Sequence, residues 1–144
     1  MMQLVNHPIS QALERLRTLA ASDFTGLALL ESHQKARWRY AAGNRSERYK
    51  QMLLKPGSGP AGVAFRIGKP VLWDDRAPSL SGLRADCPLI TAEQLHSAVA
   101  VPISTGHGIK AVLLAARRSP HPYTVQEVEI IENVSKQLLL FIEP

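Results

Sequence analysis

Lys55-Pro-Gly-Ser-Gly-Pro-Ala-Gly-Val-Ala-Phe-Arg-Ile-Gly-Lys-Pro-Val-Leu-Trp73 is the stretch around which this chain is organised. Gly57 and Gly59 break regular structure, and Pro60 suits the first position of a helix, where its missing N–H has no intrahelical partner. Val63, Ala64 and Ile67 recur at helical spacing and predict a short helix over residues 60–67. Gly68 is placed to end that helix, and Val71 to Trp73 reads as a strand. A glycine-rich turn feeding a helix presents backbone N–H groups and a positive dipole end, so it can hold an anion. Taken alone, it is equally a tight turn before a core helix.

Upstream, Lys35 to Ala42 alternates, with Ala36, Trp38 and Tyr40 expected on one face and Arg37 and Arg39 on the other. His33 and Gln34 turn the chain back to a strand over 23–31. Before it, Ile9, Leu13, Leu16 and Ala20 mark an amphipathic helix over about 8–21, with Pro8 near its start. A short helix is expected within 46–53.

Downstream, residues 74–90 form a long irregular piece rich in Pro, Ser, Gly and charge. Loops of this kind are uncommon and often functional. Thr91-Ala-Glu-Gln94 has capping-box spacing, as does Thr124-Val-Gln-Glu127, which opens a helix over 124–142. Strands over 97–104 and 109–117 are joined through Thr105-Gly106-His107-Gly108, a hairpin signal. The last helix carries Val128, Ile131, Val134, Leu138, Phe141 and Ile142, widened by Ile130, Leu139 and Leu140. That width exceeds one sheet face, so the first helix, a partner chain or both must bury the surplus. The order is α+β: a mainly antiparallel sheet, terminal helices on one face and short helices on the other.

At 144 residues the chain is expected to be a single domain, 1–144. Seventeen Lys and Arg against twelve Asp and Glu give a net charge of +5. The basic residues are scattered, which favours general anion attraction over nucleic acid. Cys87 is the only cysteine, excluding an internal disulfide and a multi-cysteine metal site. The five histidines lie far apart without metal-ligand spacing, and Asp74-Asp75 reads as a solvated pair, so no metal and no cofactor are expected. No signal peptide or membrane span is read, so a cytoplasmic protein without a membrane partner is expected.

The element order, Gly-Ser-Gly-Pro-Ala-Gly-Val-Ala followed by Gly-Lys-Pro-Val, and the late Ser-Ala-Val-Ala-Val-Pro-Ile strand resemble a GAF domain. The resemblance runs from Ile9 to Ile142 and is most specific over 59–71 and 99–103. It implies a sheet in the order 2-1-5-4-3 and a ligand cavity between sheet and short helices. Within the family the chain is similar to small stand-alone nitrate receptors. The likeness implies nitrate as ligand and a sensor histidine kinase of a two-component system as partner; a homodimer through the terminal helices is a further option, from the wide apolar stripe of the last helix. It implies a binding site from the Trp38 indole N–H, the helix start at Pro60, Ala61, Gly62 and Val63, and Leu89 and Ile90 of the later loop. Pro60 has no N–H to give, and the position near Pro88 lacks an aromatic, so either the donor set shifts by a residue or the ligand differs.

Stand-alone GAF proteins also include free methionine-(R)-sulfoxide reductases, and Cys87 resembles their loop cysteine. Such chemistry needs a thiolate and normally a second, resolving cysteine, which this chain lacks. Asp86 would raise a neighbouring thiol's pKa, with Arg84 the one nearby cation to oppose it. A binding module rather than an enzyme is the expectation, with the reductase and a GAF module for another small ligand as alternatives.

Overall fold

A computed structural model describes residues 2–32, 35–76 and 87–142. The expected turn at His33 and Gln34, and the loop segment with Arg84 and Asp86, lie outside the described residues. The elements in order are α1 (Met2–Leu19), β1 (Phe24–Ser32), β2 (Lys35–Ala42), β3 (Leu53–Leu54), α2 (Gly59–Ile67), β4 (Val71–Asp74), α3 (Pro88–Ala92), β5 (Ser97–Thr105), β6 (Gly108–Arg117) and α4 (Val125–Ile142). A 3-10 turn, Arg48–Gln51, precedes β3.

The strands form one antiparallel sheet in the order β3-β2-β1-β6-β5-β4. Without the two-residue β3, this is the anticipated five-strand order. β3 was not anticipated: Leu54 buries beside Ala36, so the chain after the 3-10 turn pairs with β2 instead of continuing a helix. The first helix begins at Met2, six residues before the expected start, and Pro8 lies inside it. Its end is closed by Ala21 at φ 47°, with the Ser22 amide donating to the Arg17 carbonyl at 2.8 Å.

The sheet separates two cores. Phe24, Ala28, Trp38, Leu54, Ala64 and Leu89 pack between the sheet and the short helices α2 and α3. Leu13, Leu16, Leu27, Leu113, Ile131 and Leu138 pack between the sheet and the terminal helices. Each fully buried leucine here contributes about 2 kcal/mol of transfer free energy. The wide stripe of α4 is explained by α1, which packs against it. Ile130 and Leu139 are half-buried in that second core, while Leu140 and Phe141 stay exposed.

Arg117 ties this side together. Its guanidinium donates to the carbonyls of Ala20, Ala21, His121 and Pro122, meets Glu127 at 2.6 Å and lies 3.9 Å from the Tyr123 ring centre. The Thr124–Glu127 capping box forms in both directions, at 2.9 and 3.2 Å. The Thr91–Gln94 box does not form. Pro88 starts α3 three residues earlier, and Leu89 and Ile90 are buried by it.

One correction matters for function. Trp38 and Tyr40 do not share a face. Leu27 pairs with Tyr40 and its neighbour Ala28 with Trp38, so Arg39 is the extra residue of a β-bulge. The bulge turns Trp38 toward the short-helix core and Tyr40 toward the terminal helices.

Candidate functional site

A cavity of about 470 Å³ opens between the sheet and the short helices. Trp38 forms its sheet wall, the segment from Gln51 to Lys55 one side, and Cys87, Pro88 and Leu89 the other. Ser58 completes the lining. Ser58 and Cys87 are the N-cap residues of α2 and α3, so both short helices begin at this cavity. That places the positive dipole end of α2 toward it.

Local chemistry explains the α2 start. Ser58 donates its amide to the Lys55 carbonyl at 3.0 Å, and the Gly57 amide donates to the Gly62 carbonyl at 2.7 Å. These bonds fold residues 55–58 onto the helix so closely that a Cβ on Gly62 would lie 2.3 Å from the Lys55 oxygen. Only glycine fits. At the other end Gly68 takes φ 75°, and its amide caps Ala64 at 2.9 Å, as its position suggested.

Trp38 is 2% exposed, and among the described residues its indole N–H has no hydrogen-bond partner. A donor on a cavity wall is placed to meet an acceptor that enters the cavity. Gly26 makes room for the ring: a Cβ there would lie 3.3 Å from Trp38 and 3.0 Å from Phe24. Among the described residues, Lys55 is the only charged side chain on the cavity lining, and no carboxylate lines it.

Of the residues anticipated from sequence, Trp38 and Leu89 line the cavity. Pro60, Ala61 and Gly62 are buried one turn into α2, Val63 is half-buried, and Ile90 lies in the adjoining core. The Gly62 amide is engaged, donating to the Ser58 carbonyl at 3.2 Å, which corrects its expected role as a ligand donor. Gly59 and Ala61 are then the first-turn amides without an acceptor inside the helix. Sequence reading missed Gln51, Met52, Lys55 and Ser58. The Lys55-Pro56 lead into the glycine turn was the available signal for Lys55 and Ser58. Nothing local announced the β3 pairing that brings Gln51 and Met52 to the wall.

Cys87 is 6% exposed. Burial pushes its thiol up, and the Ile90 and Leu89 amides offset this only in part. A thiol held in its protonated form is a poor nucleophile. Among the described residues no group of three His, Cys, Asp or Glu side chains could hold a metal, and no helix is long and apolar enough to cross a membrane.

The sheet order, the paired helical layers and the cavity at the short-helix starts are those of a small-molecule-binding α+β module, and the model of the GAF domain family matches residues 9–143. The chain belongs to the GAF domain family. Among solved structures it is similar to Staphylococcus aureus NreA mutated in its nitrate-binding site, at 26% identity and a TM-score of 0.73, over 86% of this chain and 93% of that one. It shares its fold with the GAF domain of an Acinetobacter phosphoenolpyruvate-protein phosphotransferase (16% identity, TM-score 0.80, over 96% of this chain and 81% of that one). It also shares it with a type II free methionine-R-sulfoxide reductase from Thermoplasma acidophilum (13% identity, TM-score 0.77, over 97% of this chain and 93% of that one). No curated protein matches the chain.

Proposed function

We propose that this GAF domain, acting as one unit over 1–144, is a cytoplasmic receptor for a small anion, nitrate first, and that it is not an enzyme. The observation that carries the reading is the cavity wall itself. Among the described residues it offers an unpartnered indole N–H from Trp38 and one cation, Lys55, with no carboxylate opposing them. Such a site suits an anion of low charge density, which gives up part of its hydration readily and is held by a few N–H donors between apolar walls. In this reading Trp38 and the Ala61 amide supply the donors, Lys55 the charge, and Leu54, Met52 and Leu89 the apolar contact, since the Leu89 and Ile90 amides are already turned to the Cys87 sulfur. Pro60, Gly62 and Val63 act by shaping the helix start. The similarity to NreA supports nitrate, and by the same resemblance the output is modulation of a sensor histidine kinase of a two-component system. Such a partner must prefer one of the occupied and empty states over the other.

A reductase reading has one observation in its favour, that Cys87 lines the cavity. The raised thiol pKa and the absence of a second cysteine oppose it. Calorimetric titration with nitrate, nitrite, chloride, methionine sulfoxide and a cyclic nucleotide tests both. Nitrate is expected to bind best, and Cys87→Ser to leave that binding unchanged. Equal affinity for nitrate and chloride, or tight cyclic-nucleotide binding, would overturn the receptor reading. Thiol-dependent sulfoxide turnover lost in Cys87→Ser would put the reductase in its place.

A further inference from the structure

The segment that walls the cavity with Pro88 and Leu89 has a second depression at its other end. Thr91 of α3, Gln94 and His96 after it, Arg118 at the end of β6, and Arg45 from the loop after β2 surround a space of about 400 Å³. That volume falls within the range of small-molecule sites. All five side chains carry a hydrogen-bond donor, two are guanidiniums, and among the described residues no carboxylate lines the space.

The Arg118 guanidinium and the Arg45 backbone are held in place from behind. Glu93, 1% exposed, accepts the Arg45 amide at 2.9 and 3.2 Å and Arg118 Nη2 at 2.6 Å. Arg118 Nε donates to the Glu93 carbonyl at 2.9 Å, Nη2 donates to the Gly43 carbonyl at 3.1 Å, and the Arg118 amide donates to Asp23 at 2.8 Å. Arg45 Nη1 donates to the side-chain oxygen of Gln94. His96 Nδ1 contacts Asp75 Oδ2.

The charges around the depression can be assigned in pairs. Arg118 is matched by Glu93 and His96 sits against Asp75, while the side-chain partner of Arg45 is the neutral Gln94. Arg118 uses Nε and Nη2, and Arg45 one Nη1 hydrogen, so both forks keep N–H donors for a further acceptor. Two arginine forks, that of Arg118 fixed by Glu93 and that of Arg45 at an exposed position, flanked by a hydroxyl and an imidazole, match a tetrahedral, multiply charged oxyanion, which accepts several hydrogen bonds at once.

We propose that this depression is a second anion site, taking a phosphoryl group, either as inorganic phosphate or on a small phosphate monoester. It differs from the first cavity in its chemistry: charged forks here, one indole and backbone amides there.

Phosphate and glycerol phosphate are titrated separately into the full chain at low ionic strength, with calorimetry and backbone amide chemical shifts as readouts. Binding of either is expected to move the Thr91, Gln94 and Arg45 amides. A tighter monoester identifies an esterified ligand, and a tighter inorganic phosphate the free ion. Arg45→Gln, at an exposed position, is expected to weaken binding by roughly tenfold or more, and Thr91→Val by several-fold. Trp38→Phe should leave phosphate binding unchanged whether or not the first cavity takes nitrate, so the two readings stand or fall apart. No shift at millimolar phosphate, equal shifts with chloride, or binding indifferent to Arg45→Gln would overturn the site.

Discussion

At the residue scale, Trp38 separates ligand chemistry from packing. Trp38→Phe keeps most of the buried ring and removes one donor. Nitrate affinity is expected to fall roughly ten- to a hundredfold, as for a hydrogen bond to a charged group. Stability should drop by only about 1–2 kcal/mol, against roughly 3–5 kcal/mol for Trp38→Ala. Calorimetry and urea unfolding of both variants check this, and unchanged affinity would make Trp38 a core residue only. Cys87 gives a second measurement. Because burial holds its thiol above the ordinary range, iodoacetamide should alkylate it at least about tenfold more slowly than an unfolded-chain thiol at neutral pH. Alkylation at the unfolded rate would contradict the buried, protonated state. Trp38 was legible in the sequence as an aromatic on an alternating strand. Its separation from Tyr40 was not, because one unpaired residue in a ladder leaves no mark in a pattern of apolar and charged side chains.

At the scale of elements, the α2 start depends on how closely residues 55–58 approach the helix. Gly62→Ala puts a methyl 2.3 Å from the Lys55 carbonyl, and a cost of roughly 2–3 kcal/mol is expected, together with weakened anion binding. Gly106→Ala, where an added Cβ meets nothing within 4 Å, should be near neutral in the same urea titration. The start of α4 carries a pH dependence. Burial opposes ionisation of Glu127, but the Thr124 amide and the Arg117 guanidinium outweigh it and hold the carboxyl below the usual range. With the folded pKa below the unfolded one, the stabilisation is present above the unfolded value and lost as pH falls through the folded one. Glu127→Gln should therefore cost about 1 kcal/mol at neutral pH, a difference that shrinks toward acid. Both helix starts were visible in sequence, since Gly-Pro and Thr-x-x-Glu are local signals. The start of α3 was not, because Thr91-x-x-Gln94 imitates a cap, whereas Pro88 and the burial of Leu89 and Ile90 decide where the turn begins.

For the molecule as a whole, an anion that binds only the folded state must stabilise it by mass action. Nitrate at a hundredfold over its Kd should raise the unfolding free energy by about 2.7 kcal/mol, and chloride at equal concentration by much less. Differential scanning calorimetry across a nitrate series reads this directly; a Tm indifferent to nitrate would remove the receptor reading. The antiparallel sheet and the division of helices between faces followed from hairpins and periodicity, which are properties of the chain alone, whereas the order of the long strands came from the family resemblance. The second depression did not, because Arg45 and Arg118 are distant in sequence and are gathered by a buried Glu93 that looks from sequence like one more surface carboxylate, while His96 sits against Asp75. The bulge in β2 has a consequence for chain length. Arg39 is one residue more than the ladder requires, so deleting it leaves Trp38 and Tyr40 adjacent and still on opposite faces. Deleting Arg37 instead would put Trp38 next to Ala36 and swing one of them through the sheet. A gap of one residue is thus tolerable at Arg39 and ruinous two positions earlier, and the strand can be shortened at that point without changing what either core contains.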